Sequence, residues 1–259
     1  MRMSLFTHAK RINDRTVDVA FQTHGKLGGV VTVLFDAPQD ELEICAELCA
    51  MRYLIVERQC FKVEVKKGSS IGLVVSRGSI RKVAKSMTTN KPIAYAYAGF
   101  LRTRLMGCHI ETAKKLHPHL KDFDRPVQTE PTEEHPYIVE RHTITAAPMP
   151  HEPVATAVGT LYVTRHAIDQ FIERSPNGQA IKHPWNSFLV QIQHPELKEV
   201  PLPSKVAQHK LRKYTDAELP LEERLKALPK LYTHTTSNIY IVVVNSVIVT
   251  TYFRGQEYW

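Results

Sequence analysis

The sequence predicts an α/β domain with a mixed sheet, followed by a smaller α+β domain. Three observations support this prediction. Hydrophobic and turn patterns follow the order β-β-α-β-α-α-β over residues 1–115. An acidic, proline-rich stretch then holds 7 of the 16 prolines between residues 116 and 160. Over residues 161–259 helix and strand patterns return, and the last of them are two β-rich runs at 239–244 and 247–253.

Composition places the chain among globular proteins. It has 259 residues, of which 43% are hydrophobic and 23% charged, which excludes wholly disordered and collagen-like classes. The first 115 residues carry 19 Lys and Arg against 10 Asp and Glu, so a polyanionic partner is permitted. The longest apolar run, 239–253, is interrupted by Asn245 and Ser246 and is too short to span a bilayer. We therefore expect no membrane segment, and the N-terminus shows no secretion signal.

The cysteine pattern indicates core thiols rather than a metal site or a disulfide. There is no CxxC pair, and Cys45 and Cys49 lie one helical turn apart. Cys60 and Cys108 stand alone. We expect no metal and no cofactor, and a reducing, cytoplasmic environment.

The elements of the first domain follow in order. A strand at 16–25 and a second at 30–37 predict a hairpin, and a helix with acidic residues in its first turns follows from Pro38. A short buried strand at 70–76, two helices and a closing strand at 108–114 complete the domain. The connector at 116–160 holds one strand-like run, Tyr137 to Ala146.

The second domain opens with a short strand and a helix capped by Thr164. A second helix near 185–193 and a short helix near 220–228 precede the final runs. Asn245 and Ser246 predict a tight hairpin between them.

The first domain resembles the ribonuclease H-like fold. The resemblance rests on Phe21-Gln22-Thr23-His24-Gly25 followed by a strand, and on a helix that carries Glu47-Leu48-Cys49-Ala50. In that family the first strand ends in a T-D-G-type motif, the first helix carries E-L-x-A, and a later strand ends in Asp. These carboxylates hold two divalent metals that promote phosphodiester cleavage.

Carried over position by position, the resemblance implies a degenerate site. His24 stands at the first Asp, Glu47 fits the helix carboxylate, and Ser76 stands at the second Asp. One carboxylate cannot hold two hard cations, so we expect no active two-metal nuclease. An alternative register through Asp18 and the interpretation of Glu47 as a solvated helix carboxylate both remain open.

A basic stretch follows the strand that ends at Ser76. A Ser-Gly-Ser turn opens a helix, and such a helix start with arginine can bind phosphate. The candidate nucleic-acid-binding residues are Arg77, Arg81, Lys82 and Lys85. The alternative is an ordinary solvated helix face.

The second domain resembles the small RelE/BrnT-like fold of RNA-cleaving toxins and RNA-binding relatives. Thr164-Arg165-His166-Ala167-Ile168 with Phe171, and the final strand through Thr251 and Tyr252, carry the resemblance. It implies metal-independent cleavage by His166, Arg174 and Tyr252, with Arg165 and Arg254 contacting RNA. A non-catalytic surface on the same fold is the alternative.

Three functions remain open. The first is an RNA- or DNA-binding protein with a degenerate ribonuclease H-like domain. The second is an adaptor that uses both domains to bind proteins, and the third is a metal-independent ribonuclease in the second domain. The resemblances also suggest a bacteriophage or mobile element as the source, and hence a bacterial or host cytoplasm.

Overall fold

The computed structural model describes residues 3–65, 67–85, 90–113, 120, 127–133, 137–176, 178–204, 207–208, 220–226 and 228–253. It is a mixed α/β structure with two six-stranded mixed sheets. Contacts divide the chain into two compact units, Met1–Pro150 and His151–Trp259. No helix in the described ranges combines the length and the hydropathy needed to cross a membrane.

The sheet of the first unit has the strand order β5-β4-β1-β2-β3-β6. Its strands are β1 (Met3–Arg11), β2 (Thr16–Thr23), β3 (Leu27–Leu34), β4 (Ile71–Val75), β5 (His109–Thr112) and β6 (Ile138–Thr145). Strands β1, β2 and β3 form an antiparallel meander. Strands β4 and β5 extend it in parallel beyond β1, and β6 extends it in parallel beyond β3.

Strand β1 was not predicted, although it lies inside the sheet between β2 and β4. Leu5, Thr7 and Ala9 are buried at alternate positions and Phe6 is buried between them, whereas His8 and Lys10 are more exposed. A strand that is buried on one face needs only such alternate residues. The hairpin predicted from residue 16 is therefore formed by the second and third strands rather than by the first two.

Helix α1 (Leu42–Arg52) packs over the meander, and eight of its eleven residues are buried. Burial on most sides explains its nearly continuous apolar sequence. The long helix predicted from Pro38 ends at Arg52, where residues Tyr53–Glu57 form a π-helical turn. The other helices of this unit are short: α2 (Gly78–Ala84), α3 (Pro92–Tyr97) and α4 (Gly99–Arg102).

Strand β6 lies in the stretch expected to connect two domains. It pairs with β3 at eight consecutive positions, from Leu27 with Ile138 to Leu34 with Thr145. The strand-like run at 137–146 is therefore a strand of the first sheet, and the division at 115 and 160 differs from the division at 150. Gly29 permits the pairing, because a Cβ there would lie 1.9 Å from the Glu140 carbonyl oxygen.

The sheet of the second unit has the order β7-β8-β12-β11-β10-β9. Its strands are β7 (Glu152–Thr156), β8 (Gly159–Val163), β9 (Lys198–Val200), β10 (Lys230–Thr233), β11 (Ile239–Val244) and β12 (Val247–Phe253). The predicted closing hairpin is confirmed. Asn245 and Ser246 have φ angles of 50° and 63°, as a two-residue type I′ turn requires.

Helices α5 (Arg165–Arg174), α6 (Pro184–Ile192) and α7 (Leu221–Lys226) lie in the described part of the second unit. Helix α5 packs on β12 and against α6. Phe171 and Phe188 join the two helices with ring centroids 5.3 Å apart. Thr164 caps α5 as predicted, since its hydroxyl accepts a hydrogen bond from Ala167 N.

Candidate functional site

Glu47 is the central residue of the candidate site in the first unit. It lies on α1, is fully buried, and faces both β1 and the turn after β4. Thr7 Oγ1 and Ser76 N donate hydrogen bonds to Oε1 at 2.7 and 2.8 Å, and Oε2 pairs with the Ser76 hydroxyl. Two of the three segments expected to form a nuclease site therefore meet, those of Glu47 and Ser76, and Thr7 of β1 is the third member. Among these three residues only Glu47 is a carboxylate.

The environment of Glu47 disfavours its charged form. Burial raises the pKa of Glu47, and the hydrogen bonds from Ser76 and Thr7 and the nearby Arg77 oppose that rise only in part. Both carboxyl oxygens already have protein partners. A hard cation would have to displace those donors and then find further oxygen ligands.

His24 is not brought to this site. It is exposed in the turn between β2 and β3, where its N–H donates to the Ser4 carbonyl oxygen at 3.1 Å. Thr7, three residues further along β1 than Ser4, occupies the position beside Glu47 instead. Because β1 was not predicted, the motif at residue 23 was assigned to the first strand although it ends the second.

His8 and Arg77 border the cluster. Burial, and then the positive charge of Arg77, lowers the pKa of His8. Arg77 also pairs with Glu43 of α1, with Nη2 to Oε1 at 2.8 Å. Asp18, the acidic alternative considered for this site, instead accepts a hydrogen bond from Thr32 on β3.

The basic stretch lies on α2 as expected. Arg81, Lys82 and Lys85 are exposed. Arg77, Arg81 and Lys85 are spaced four residues apart, so these three cations lie on one side of this short segment. Helix α2 has only seven residues, and Arg77 at its start is already paired with Glu43.

In the second unit, Arg174 and Tyr252 come together. The Arg174 guanidinium lies 4.6 Å from the centre of the Tyr252 ring. Its Nη1 donates to the Thr251 carbonyl oxygen at 2.7 Å and to Thr250 Oγ1 at 3.2 Å. These bonds tie the end of α5 to β12.

His166 is not part of that group. It is exposed at the start of α5, eight residues before Arg174 and hence about 12 Å away along the helix axis. Arg165 is paired with Asp169 at 2.7 Å. Arg254 lies outside the described residues.

The cysteines are free and buried or half-buried. Burial raises the pKa of the Cys45, Cys49, Cys60 and Cys108 thiols to about 12. Across the described ranges, no group of three or more His, Cys, Asp or Glu side chains is arranged to hold a metal ion.

No family model and no curated protein sequence matches this chain. Among solved structures it is similar to ribonuclease H1 from the halophilic archaeon Halobacterium salinarum NRC-1. The two chains are 14% identical, and the match covers 43% of this chain and 83% of the archaeal one at a TM-score of 0.28. This loose likeness carries no argument about substrate or activity.

Sequence reasoning found Glu47 and Ser76 but missed Thr7. It also missed a hydrogen-bonded group at the far side of the same unit, formed by Tyr53, Arg58, Glu140 and His142. The sequence carried one signal for this group: residues two apart in a strand lie on the same face, which places Glu140 and His142 side by side.

Proposed function

We propose that this protein binds nucleic acid, RNA in particular, through a first unit of ribonuclease H-like design that has lost two-metal chemistry. The observation that carries the proposal is the Glu47 cluster. Glu47 on the first helix meets Ser76 in the turn after β4, the two positions that the resemblance assigned, and Thr7 of β1 joins them where the resemblance assigned His24. Thr7 and Ser76 stand where further carboxylates would be needed.

Charge supports nucleic acid as the partner of this unit. Residues 1–150 carry 22 Lys and Arg against 16 Asp and Glu, and Arg81, Lys82 and Lys85 are exposed together on α2. Binding through such contacts depends steeply on salt, because each neutralised phosphate releases counterions. The adaptor alternative predicts no such dependence.

The test is binding of a fluorescent 20-nucleotide single-stranded RNA, and of DNA of the same sequence, between 50 and 300 mM salt. The triple variant Arg81→Glu, Lys82→Glu, Lys85→Glu should weaken binding at least tenfold and lower the slope against salt by about 2. Lys10→Glu, Arg15→Glu, Lys26→Glu is the matched control, since it changes three exposed cations of the same unit. Equal losses in both triples, or no binding at 50 mM salt, would refute the proposal.

Absence of two-metal chemistry has its own test. We expect calorimetry with Mg²⁺ or Mn²⁺ to show no tight two-site binding, and RNA–DNA hybrids to stay intact with either metal. Tight two-site binding that Glu47→Gln abolishes would mean that the metal-binding motif was assigned to the wrong residues, and would refute this part of the proposal.

The same proposal gives the second unit a RelE-like fold, in which α5 and β12 form a surface that binds RNA. Cleavage by His166, Arg174 and Tyr252 would need His166 beside the other two, but His166 lies about 12 Å from Arg174 along the helix axis. Metal-independent cleavage of RNA by the native protein, if His166→Ala abolishes it, would favour the ribonuclease alternative.

A further inference from the structure

A second group of polar side chains in the first unit joins the π-helical turn to the edge strand β6. Tyr53 Oη lies 3.1 Å from His142 Nδ1, and His142 Nε2 lies 2.9 Å from Glu140 Oε2. Arg58 donates two hydrogen bonds to the same carboxylate, from Nε at 3.1 Å and from Nη2 at 2.6 Å. The four side chains therefore form one continuous chain of hydrogen bonds.

The π-turn creates this alignment. On an α-helix, residues five apart point about 140° away from each other. Here the Arg58 N–H bonds the Tyr53 carbonyl at 2.8 Å, five residues back, which winds the turn more loosely. Tyr53 and Arg58 can thus both reach β6, where Glu140 and His142 share one face.

The neighbours of His142 decide which nitrogen carries the proton in its neutral ring. Burial tends to raise the pKa of Glu140, but the hydrogen bonds from Arg58 and His142 lower it overall, so this group is a carboxylate. A carboxylate only accepts hydrogen bonds, and His142 Nε2 must therefore carry the proton. In the neutral ring Nδ1 is then an acceptor, and the Tyr53 hydroxyl donates to it.

This is the order of an activated nucleophile: a hydroxyl, a base that accepts its proton, and an anion that orients the base. The hydroxyl is half-buried rather than sealed in the core. Arg58 is 39% exposed, and Glu140 takes only two of its five N–H donors, so it can also bind an anion.

We propose that Tyr53, His142 and Glu140 form a nucleophilic relay that attacks a phosphate ester held beside Arg58. The Tyr53 oxygen forms a bond to phosphorus, the bond from phosphorus to the leaving alkoxide breaks, and the phenol proton passes to His142 Nδ1. His142 then gives that proton to the alkoxide, which leaves as an alcohol. The products are a phosphotyrosyl protein and an alcohol, and no oxidant or metal is consumed.

The relay is separate from the Glu47 cluster and from the basic side of α2, and it does not require that the protein binds RNA. Its alternative is a purely structural clasp that holds β6 against the π-turn. The two roles differ in one measurable property, the reactivity of the Tyr53 oxygen.

The test is the rate at which an alkyl fluorophosphonate labels each tyrosine of the full chain, followed by peptide mass mapping. In this reaction the phosphorus–fluorine bond breaks, the bond to tyrosine oxygen forms, and fluoride and a proton leave. Tyr162 on β8 is the internal reference because it is 40% exposed. We expect Tyr53 to react at least tenfold faster than Tyr162 at pH 7.5.

His142→Phe keeps a ring against Tyr53 but removes the acceptor, so labelling of Tyr53 should fall to the rate of Tyr162. Glu140→Gln should give an intermediate rate, and Tyr53→Phe should remove the adduct. Equal rates at Tyr53 and Tyr162 in the native protein, or an unchanged Tyr53 rate in His142→Phe, would leave only the structural clasp.

The comparison of Tyr53 with Tyr162 in the unaltered protein covers the case in which a variant does not fold.

Discussion

Single buried side chains carry much of what distinguishes this protein, and Glu47 is the clearest example. A carboxyl group that is shielded from water is costly to ionise, and the hydrogen bonds from Ser76 and Thr7 lower that cost only in part. The folded protein therefore holds a proton on Glu47 at a pH where the unfolded chain has released it. Stability is full below the unfolded pKa and declines as pH rises toward the raised value in the folded protein.

Glu47→Gln should reverse this decline. Glutamine cannot ionise, yet its amide can still accept from Thr7 and Ser76 N and donate to the Ser76 hydroxyl. We expect a variant at least as stable as the native protein at pH 5 and about 1 kcal/mol more stable at pH 8. Hydrogen exchange of the peptide Leu42–Arg52 at the two pH values measures this.

Two controls separate ionisation from packing. Glu47→Ala leaves donors unpaired around a cavity and should cost about 2–4 kcal/mol. Glu43→Gln removes only a surface ion pair with Arg77 and should change stability by less than about 1 kcal/mol. A Glu47→Gln protein that loses stability at pH 8 would show that the carboxylate is needed.

His234 gives the second unit the opposite pH dependence. It is 3% exposed and stacks on His194, with ring centroids 4.0 Å apart. Burial and then the His194 charge lower the pKa of His234, while Glu196 opposes them. The unfolded chain takes up this proton first as pH falls, so stability is full above about pH 6.5 and is lost below it.

We therefore expect the second unit to lose stability between pH 7.5 and 5, and His194→Asn to reduce that loss by less than about 1.4 kcal/mol. Both tryptophans of the chain, Trp185 and Trp259, belong to this unit. Their fluorescence during urea unfolding follows it selectively. His166→Asn changes an exposed histidine and should leave the pH dependence as it is; an equal effect would contradict the assignment to the stacked pair.

At the scale of elements, strong local patterns were predictable and context-dependent ones were not. The turn residues Asn245 and Ser246 and the cap Thr164 act through their own backbone, so sequence alone located the closing hairpin and the start of α5. Strand β1 has only a few alternating apolar residues, and its identity depends on β2 and β4 beside it. Because β1 was not predicted, His24 was expected beside Glu47, whereas Thr7 is the residue that contacts it.

The cap of α5 offers a test at this scale. Thr164 accepts from Ala167 N at 3.0 Å and donates to the Ile248 carbonyl oxygen at 2.9 Å, so one hydroxyl joins the helix to β12. Thr164→Val keeps the volume, removes both bonds and should cost about 1–2 kcal/mol by tryptophan fluorescence in urea. Thr164→Ser keeps the hydroxyl and should cost less; equal losses would mean that the hydroxyl contributes nothing.

At the scale of the molecule, the position of β6 decides where the first unit ends. Composition marked residues 116–160 as a connector because prolines and acids are frequent there. Eight paired positions between β3 and β6 nevertheless make part of that stretch a strand of the sheet. Composition averages over a segment and cannot detect a partner strand more than a hundred residues away.

A fragment of residues 1–150 should unfold cooperatively in urea, whereas 1–115 should aggregate or lose several kcal/mol of stability, because β3 becomes an unpaired edge. A fragment of residues 1–133, which retains much of the acidic stretch but not β6, should behave like 1–115. Circular dichroism and sedimentation distinguish these outcomes. Equal stability of 1–115 and 1–150 would mean that β6 is an optional addition.

Gly29 extends the consequence of that pairing to mutational tolerance. Any side chain at this position would meet the backbone of Glu140, and its φ of 154° is one that other residues rarely adopt. Gly29 pairs directly with Glu140 in the β3–β6 register, two residues before His142. In a library of every single substitution, position 29 should accept glycine alone, although glycine offers no functional group for chemistry.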